Sequence, residues 1–267
     1  MPHSLTSTLQ RFTRQGLCRQ GLASRSARRA GQSAAAAALA LAGAACSVAG
    51  AGPAGAVAAH TDCAAVRIIS ARADGEDPGP GVIGSLAKLI KGQLSASVTR
   101  QAVDWPAALN GWARSAAKGD KAIKADLTSA ARRCPSQVFV LLGYSQGAEI
   151  VGDALGGGGA SGLGPLTAGV PASVARKVVA VIQYSDPRRV PGLPFDKGSA
   201  RGAIGQYPRT EEISLAGFAA KIRSYCDRGD PICALGHNLA AHFGLTVKYN
   251  RAASRFVLGR LRAAGIS

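Results

Sequence analysis

The segment Gly143-Tyr144-Ser145-Gln146-Gly147 sets a serine between two glycines. Before it runs Val138-Phe139-Val140-Leu141-Leu142, β-branched, aromatic and apolar throughout, as a strand buried on both faces of a parallel sheet should be. After it, Gln146 to Leu155 carries Ile150, Val151 and Leu155 on roughly one helical face, and the glycines at 156 to 159 end the segment. Strand, sharp turn and helix is the setting in which a G-x-S-x-G serine is exposed at a sheet edge while the first helical N–H groups point at a developing oxyanion. The alternative is a small residue in a tight turn, because a chain with 34 glycines produces the bare pattern by chance. A nucleophile needs a base and an acid.

Four histidines are available. His3 and His60 lie at the N-terminal end, which leaves His237 and His242, both after Ser145. Asp227 and Asp230 come just before them, so the order nucleophile, acid, histidine of α/β-hydrolases is available. The plain alternative is that Asp230 caps a turn before Pro231 and that both histidines are surface residues.

Residues 1 to 58 contain six arginines, no lysine and no acid, followed from Ala34 by a run rich in Ala, Leu and Val. This is the basic and apolar layout of an export signal, with Ala56-Val57-Ala58 as a small-x-small cleavage site and residues 59–267 as the single mature domain. Arg28-Arg29 is a weak twin-arginine signal, and Cys46 lacks the leucine three residues earlier that lipidation would favour. A membrane anchor fits poorly, since Gly43, Gly50, Gly52, Pro53 and Gly55 interrupt an alanine-rich run of low hydrophobicity.

Export changes how the cysteines read. Cys63, Cys134, Cys226 and Cys233 remain after cleavage, and four cysteines in an oxidising compartment suggest two disulfides with three possible connectivities. Cys226 and Cys233 bracket Gly229 and Pro231 at a spacing that closes a small loop, which leaves Cys63 for Cys134. A zinc site fits poorly without a C-x-x-C pair, so no metal is expected.

With the six arginines of the leader taken from the net charge of +17, the mature chain keeps +11. Its Lys and Arg are scattered over helix-like segments without an aromatic stacking array or reader motif, which argues against nucleic acid as a partner. A solvated face, or loose attraction to an anionic cell envelope, accounts for them.

Four strands are expected at Ala65 to Ser70, Ser97 to Val103, Val138 to Leu142 and Val178 to Tyr184. Helices are expected at Val82 to Leu94, Pro106 to Lys118, Lys121 to Arg132, Gln146 to Leu155, Leu215 to Tyr225 and Ala252 to Ala264. The alternation predicts an α/β fold with a mainly parallel sheet. The Gly156 to Gly159 run follows a helix instead of leading a strand into one, so it reads as a surface loop and not a phosphate cradle.

Taken together, these residues resemble the cutinase family over nearly all of the mature chain. The resemblance rests on Cys63 before the first strand, Ala71-Arg72 with Glu76 beyond it, and Val103-Asp104-Trp105-Pro106-Ala107. It continues through Cys134-Pro135, Gly143-Tyr144-Ser145-Gln146-Gly147-Ala148, Asp186-Pro187, and Cys226 to Asp230-Pro231-Ile232-Cys233. It implies a compact three-layer α/β/α sandwich and a lidless secreted serine esterase, with Ser145 as nucleophile and Asp230 as acid. It implies His242 as base, through Ala240-Ala241-His242, and leaves His237 in a loop. It supports the two disulfides and implies ester or lipid substrates for a monomeric enzyme without cofactor. The oxyanion is expected on the backbone N–H of Gln146 and a donor from the loop after the first strand. Apolar loops at Pro80 to Ile83 and Val190 to Phe195 resemble those flanking the family's acyl groove.

The chain departs from the family pattern at one position of this machinery. Where the family shows Arg-Gly followed by Ser or Thr, whose hydroxyl helps hold the oxyanion, this chain reads Arg72-Ala73-Asp74-Gly75-Glu76. A carboxylate cannot donate unless protonated, and aimed at the hole it repels the charge to be stabilised. The Asp74 N–H remains a donor if the side chain turns away toward Arg72 or solvent.

Overall fold

A computed structural model describes residues 63–267, so the leader expected over residues 1–58 lies outside the described residues. The chain runs through β1 (Val66–Ala71), α1 (Gly84–Lys91), β2 (Val98–Ala102), α2 (Trp112–Arg133), β3 (Val138–Tyr144), α3 (Gln146–Gly156), α4 (Ala172–Ala175), β4 (Val178–Tyr184), β5 (Asp196–Lys197), β6 (Ile222–Tyr225), α5 (Leu239–Phe243) and α6 (Leu245–Ala263). The strands form one six-stranded sheet in the order β2-β1-β3-β4-β6-β5, and every pairing is parallel.

The unbroken apolar runs are explained by burial of both sheet faces. Successive side chains alternate across a strand, so Ile69, Leu141 and Val181 join Ile123 and Leu127 of α2 and Ile150 of α3 on one face. Their neighbours Ile68, Val140, Leu142 and Ile182 meet Leu86 and Ile90 of α1 and Val257 and Leu261 of α6 on the other. This is the parallel α/β sheet expected from the alternation of elements, in the α/β/α sandwich that the resemblance implied.

Four expected helices change. The helices at Pro106 to Lys118 and Lys121 to Arg132 are one continuous helix, α2. Gly119 sits within it because a Cβ there would come within 2.6 Å of the Trp105 ring and 2.9 Å of Ile150; the glycine permits close packing and does not end the helix. The helix expected at Leu215 to Tyr225 is a 3₁₀ turn at Ala216–Lys221 followed by β6, whose Ile222 to Tyr225 pair with Val181 to Tyr184. Sheet pairing overrides the helical spacing there. The last helix begins at Leu245, earlier than Ala252, and is preceded by the short α5.

Disulfides join Cys63 to Cys134 and Cys226 to Cys233. The first ties the entry of β1 to the end of α2, and the second closes the loop after β6. At the carboxyl edge of the sheet, Tyr144, Tyr184 and Tyr225 lie in register on three neighbouring strands. Their rings meet edge to face at 6.0 and 5.4 Å, and Tyr249 of α6 stacks on Tyr225 at 4.7 Å. Among the described residues no helix is long and apolar enough to cross a membrane.

Candidate active site

Ser145 occupies the turn between β3 and α3 with φ 54° and ψ −122°, a conformation uncommon for a residue with a side chain. The flanking glycines make the turn possible. A Cβ on Gly147 would strike the carbonyl oxygens of Ala71 and Arg72, and one on Gly143 would lie 2.7 Å from the Ala148 Cα. The backbone of α3 thus rests directly on the end of β1, and the α3 N-terminus opens beside the serine.

Gln146 supplies the first helical amide, and its side chain is fixed from two sides. Ser115 Oγ donates to Gln146 Oε1 at 3.1 Å, and Gln146 Nε2 donates to the Trp112 carbonyl at 3.3 Å. One turn further, the buried Glu149 accepts the Trp112 indole N–H at 2.7 Å. Burial, and then the charge of Asp153, push its carboxyl up to about 8. Asp153 is itself held by Arg188 at 3.3 Å and Arg209 at 2.8 Å. Glu149 is absent from the sequence-derived site, since an acid at the fourth place after a serine reads as an ordinary polar helix position.

Asp230 and His242 are both buried, and His242 Nδ1 lies 3.2 Å from each carboxylate oxygen. Burial alone would raise the Asp230 pKa. The hydrogen bond and charge of His242, the N–H of Ile232 at 2.8 Å and the hydroxyl of Ser185 at 2.9 Å outweigh it and hold the carboxyl below its ordinary value. A ring whose Nδ1–H faces this carboxylate keeps Nε2 free as an acceptor. The loop and the helix that carry the pair are stitched together. Asn238 N donates to the Gly229 carbonyl at 2.7 Å, while Asn238 Oδ1 caps α5 by accepting from Ala240 and Ala241.

Two further residues converge on this pair, and sequence reasoning missed both. Ser185 follows Tyr184 as Ser145 follows Tyr144, with the same φ of 54°, and its Oγ lies 2.9 Å from both Asp230 Oδ1 and His242 Nδ1. Tyr144 donates its hydroxyl to the His242 carbonyl and sets its ring edge-on to the imidazole at 5.5 Å. A signal existed for Ser185, a hydroxyl residue directly before the Asp186-Pro187 pair at the end of a buried strand. For Tyr144 the signal was only its place in the serine motif.

The other candidates fall elsewhere. His237 is exposed in the loop between acid and base. Asp227 binds Ser199, Tyr249 and Lys248; these bonds prevail over its burial and pull its carboxyl down to about 2. From within the Cys226–Cys233 loop it ties the acid loop to Ser199 and to α6. Of the expected apolar loops Pro80 and Val82 are exposed, whereas Ile83 and Phe195 belong to the core; Leu109, Leu239 and Phe243 are exposed as well.

The Asp74 side chain does not turn toward Arg72. Ser145 Oγ donates to Asp74 Oδ1 at 3.1 Å, and Ser145 and His242 share no hydrogen bond in this arrangement. Arg72 points inward instead, donating to the carbonyls of Glu76 at 3.0 Å and Trp105 at 2.7 Å. Among the described residues no cluster of three metal-ligating side chains is present.

Comparison with known proteins adds the family context. The family model described as Cutinase matches residues 62–261. The chain is 35% identical over 216 residues to Cutinase 11 of Verticillium dahliae, covering 76% of this chain and 71% of that protein. It is 36% identical over 215 residues to Acetylxylan esterase 2 of Talaromyces purpureogenus, with 74% and 88% covered. A solved acetylxylan esterase structure superimposes with a TM-score of 0.70 at 32% identity, over 74% of this chain and 99% of that one.

Proposed function

The chain belongs to the cutinase family and is a serine carboxylic ester hydrolase, and from that premise we propose that it cleaves lipid, cutin-like or short-chain acyl esters through Ser145, His242 and Asp230. The observation that carries the reading is the pairing of His242 Nδ1 with both oxygens of buried Asp230, on a loop clamped by a disulfide, beside a serine held in a strained turn.

In this mechanism the Ser145 hydroxyl turns to His242 Nε2 and gives up its proton as Oγ attacks the ester carbonyl. The imidazolium that forms is stabilised by Asp230. The tetrahedral oxyanion is held by the N–H of Gln146 and the N–H of Asp74. Collapse expels the alcohol, which takes the proton from His242 and leaves an acyl-serine. Water, deprotonated by the same imidazole, then releases the acid. The exposed Phe243, whose ring meets that of His242, and Leu109, set against Gly75 of the Asp74 loop, offer an acyl chain apolar contacts.

A second reading is favoured by one observation, the bond from Ser145 to Asp74. In it the protein is a weakened relative that binds envelope lipid with little turnover. We place the enzyme outside the cell or at its envelope, supported by the arginine-rich leader, the two disulfides and the +11 charge of residues 59–267. Short-chain ester hydrolysis by the mature protein and its Ser145→Ala variant decides between the readings. Turnover abolished by the substitution supports the hydrolase; no turnover by either protein supports the binding relative.

A further inference from the structure

Asp74 is a carboxylate without a cation. Although the chain carries 32 Lys and Arg against 15 Asp and Glu, no ion pair among the described residues includes it. Its side-chain partner is the nucleophile itself, on Oδ1, and Oδ2 receives no donor from the described residues. The side chain is half-buried and therefore reachable from the site.

The loop does not need this carboxylate for its shape. Glu76 accepts from Ala73 N at 2.7 Å and Val82 N at 2.8 Å, Arg72 binds the Glu76 carbonyl, and Gly75 N donates to the Ala107 carbonyl at 2.8 Å. What remains for Asp74 is a role toward something that enters the site. A carboxylate only accepts, and a plain ester brings only acceptor oxygens to it. An ester with a hydroxyl on a neighbouring carbon brings a donor.

Building on the esterase reading above, we propose that Asp74 is a specificity-determining residue that accepts a hydrogen bond from a substrate hydroxyl next to the scissile ester, so that the enzyme prefers partly esterified polyols over simple esters. A donor on the carboxylate offsets part of its charge. That loosens the hold on Ser145, whose hydroxyl can then turn to His242, and it weakens the repulsion of the oxyanion. A substrate lacking the hydroxyl leaves the anion facing the developing charge, and a site built around such a bond discriminates against it.

The test compares 2-hydroxyethyl acetate with its capped analogue 2-methoxyethyl acetate by pH-stat, using the wild-type protein, Asp74→Asn and Asp74→Thr. The wild type is expected to favour the free hydroxyl by roughly 10- to 100-fold in kcat/KM, the range for a hydrogen bond to a charged group. Both variants are expected to bring the ratio close to one, chiefly by raising kcat on the methoxy ester with little change in KM. A wild-type ratio near one, or a ratio unchanged in both variants, overturns the proposal while leaving the esterase reading in place. Should the variants fail to fold, the wild-type ratio decides alone. Absence of turnover of both esters by the folded wild type refutes the esterase reading and the proposal with it.

Discussion

Trp112 at the start of α2 donates its indole N–H to the carboxyl of Glu149, which is fully buried one turn past the nucleophile. A glutamate titrates near its reference value of 4.5 when unfolded and at about 8 here, because burial and the charge of Asp153 disfavour the anion. Between those values the native state keeps a proton that the unfolded chain has released. Stability from this group is therefore complete below about pH 4.5 and is lost as pH rises to about 8. Urea midpoints measured across this window should fall with rising pH, and Glu149→Gln should flatten the slope and leave the protein more stable than wild type at pH 8. Identical slopes in both proteins would show that Glu149 does not hold the proton.

Ser145→Ala and His242→Ala are each expected to remove most ester hydrolysis, whereas His237→Ala leaves most of it. One imidazole faces buried Asp230 and the other is exposed. Equal losses at the two histidines would contradict the assignment.

Ser185→Ala removes the hydroxyl that bridges Asp230 and His242. The expected result is a loss of roughly ten-fold in kcat with KM little changed, as for a group that orients the base without touching substrate. A rise in KM at constant kcat would instead place Ser185 in substrate binding.

The two disulfides should separate stability from activity. The bond from Cys63 to Cys134 closes a loop of 71 residues and that from Cys226 to Cys233 one of 7. Chain entropy alone assigns them roughly 4 and roughly 2 kcal/mol. Replacing Cys63 and Cys134 by Ala is expected to lower the unfolding temperature most. Replacing Cys226 and Cys233 is expected to cost more activity than stability, since Asp230 takes the Cys233 N–H at 3.1 Å. Melting curves and ester turnover on both double variants check this, and the reverse ranking would contradict it.

Much of this was legible in the chain because the relevant physics is local. The run Val138 to Leu142 could only be a strand buried on both faces, and Gly143 and Gly147 marked a turn where backbone meets backbone. Where local pattern and tertiary contact disagree, sequence reasoning failed. Gly119 looks like a break until the Trp105 ring beneath it is seen, and Ile222 to Tyr225 fit a helical face until β4 offers them hydrogen bonds. Ser185 and Tyr144 escaped for a related reason. Their importance lies in where adjacent strands end, and strand order is not written in any one segment.

The row of Tyr144, Tyr184 and Tyr225 gives the site a common datum. The next residue on each strand, Ser145, Ser185 and Cys226, begins the nucleophile turn, the bridging hydroxyl and the clamped acid loop respectively. Lengthening or shortening one of these strands by a residue would move its part off the datum and turn its side chains to the opposite face of the sheet. An exposed loop tip away from that edge carries no such constraint. Variation in segment length should therefore be tolerated at the exposed Ser161-Gly162 tip beyond α3, where a side chain at Gly162 would meet nothing, and excluded from the last residues of β3, β4 and β6. Insertion scanning across the gene would map the two regimes as a contrast between length changes and substitutions at neighbouring positions.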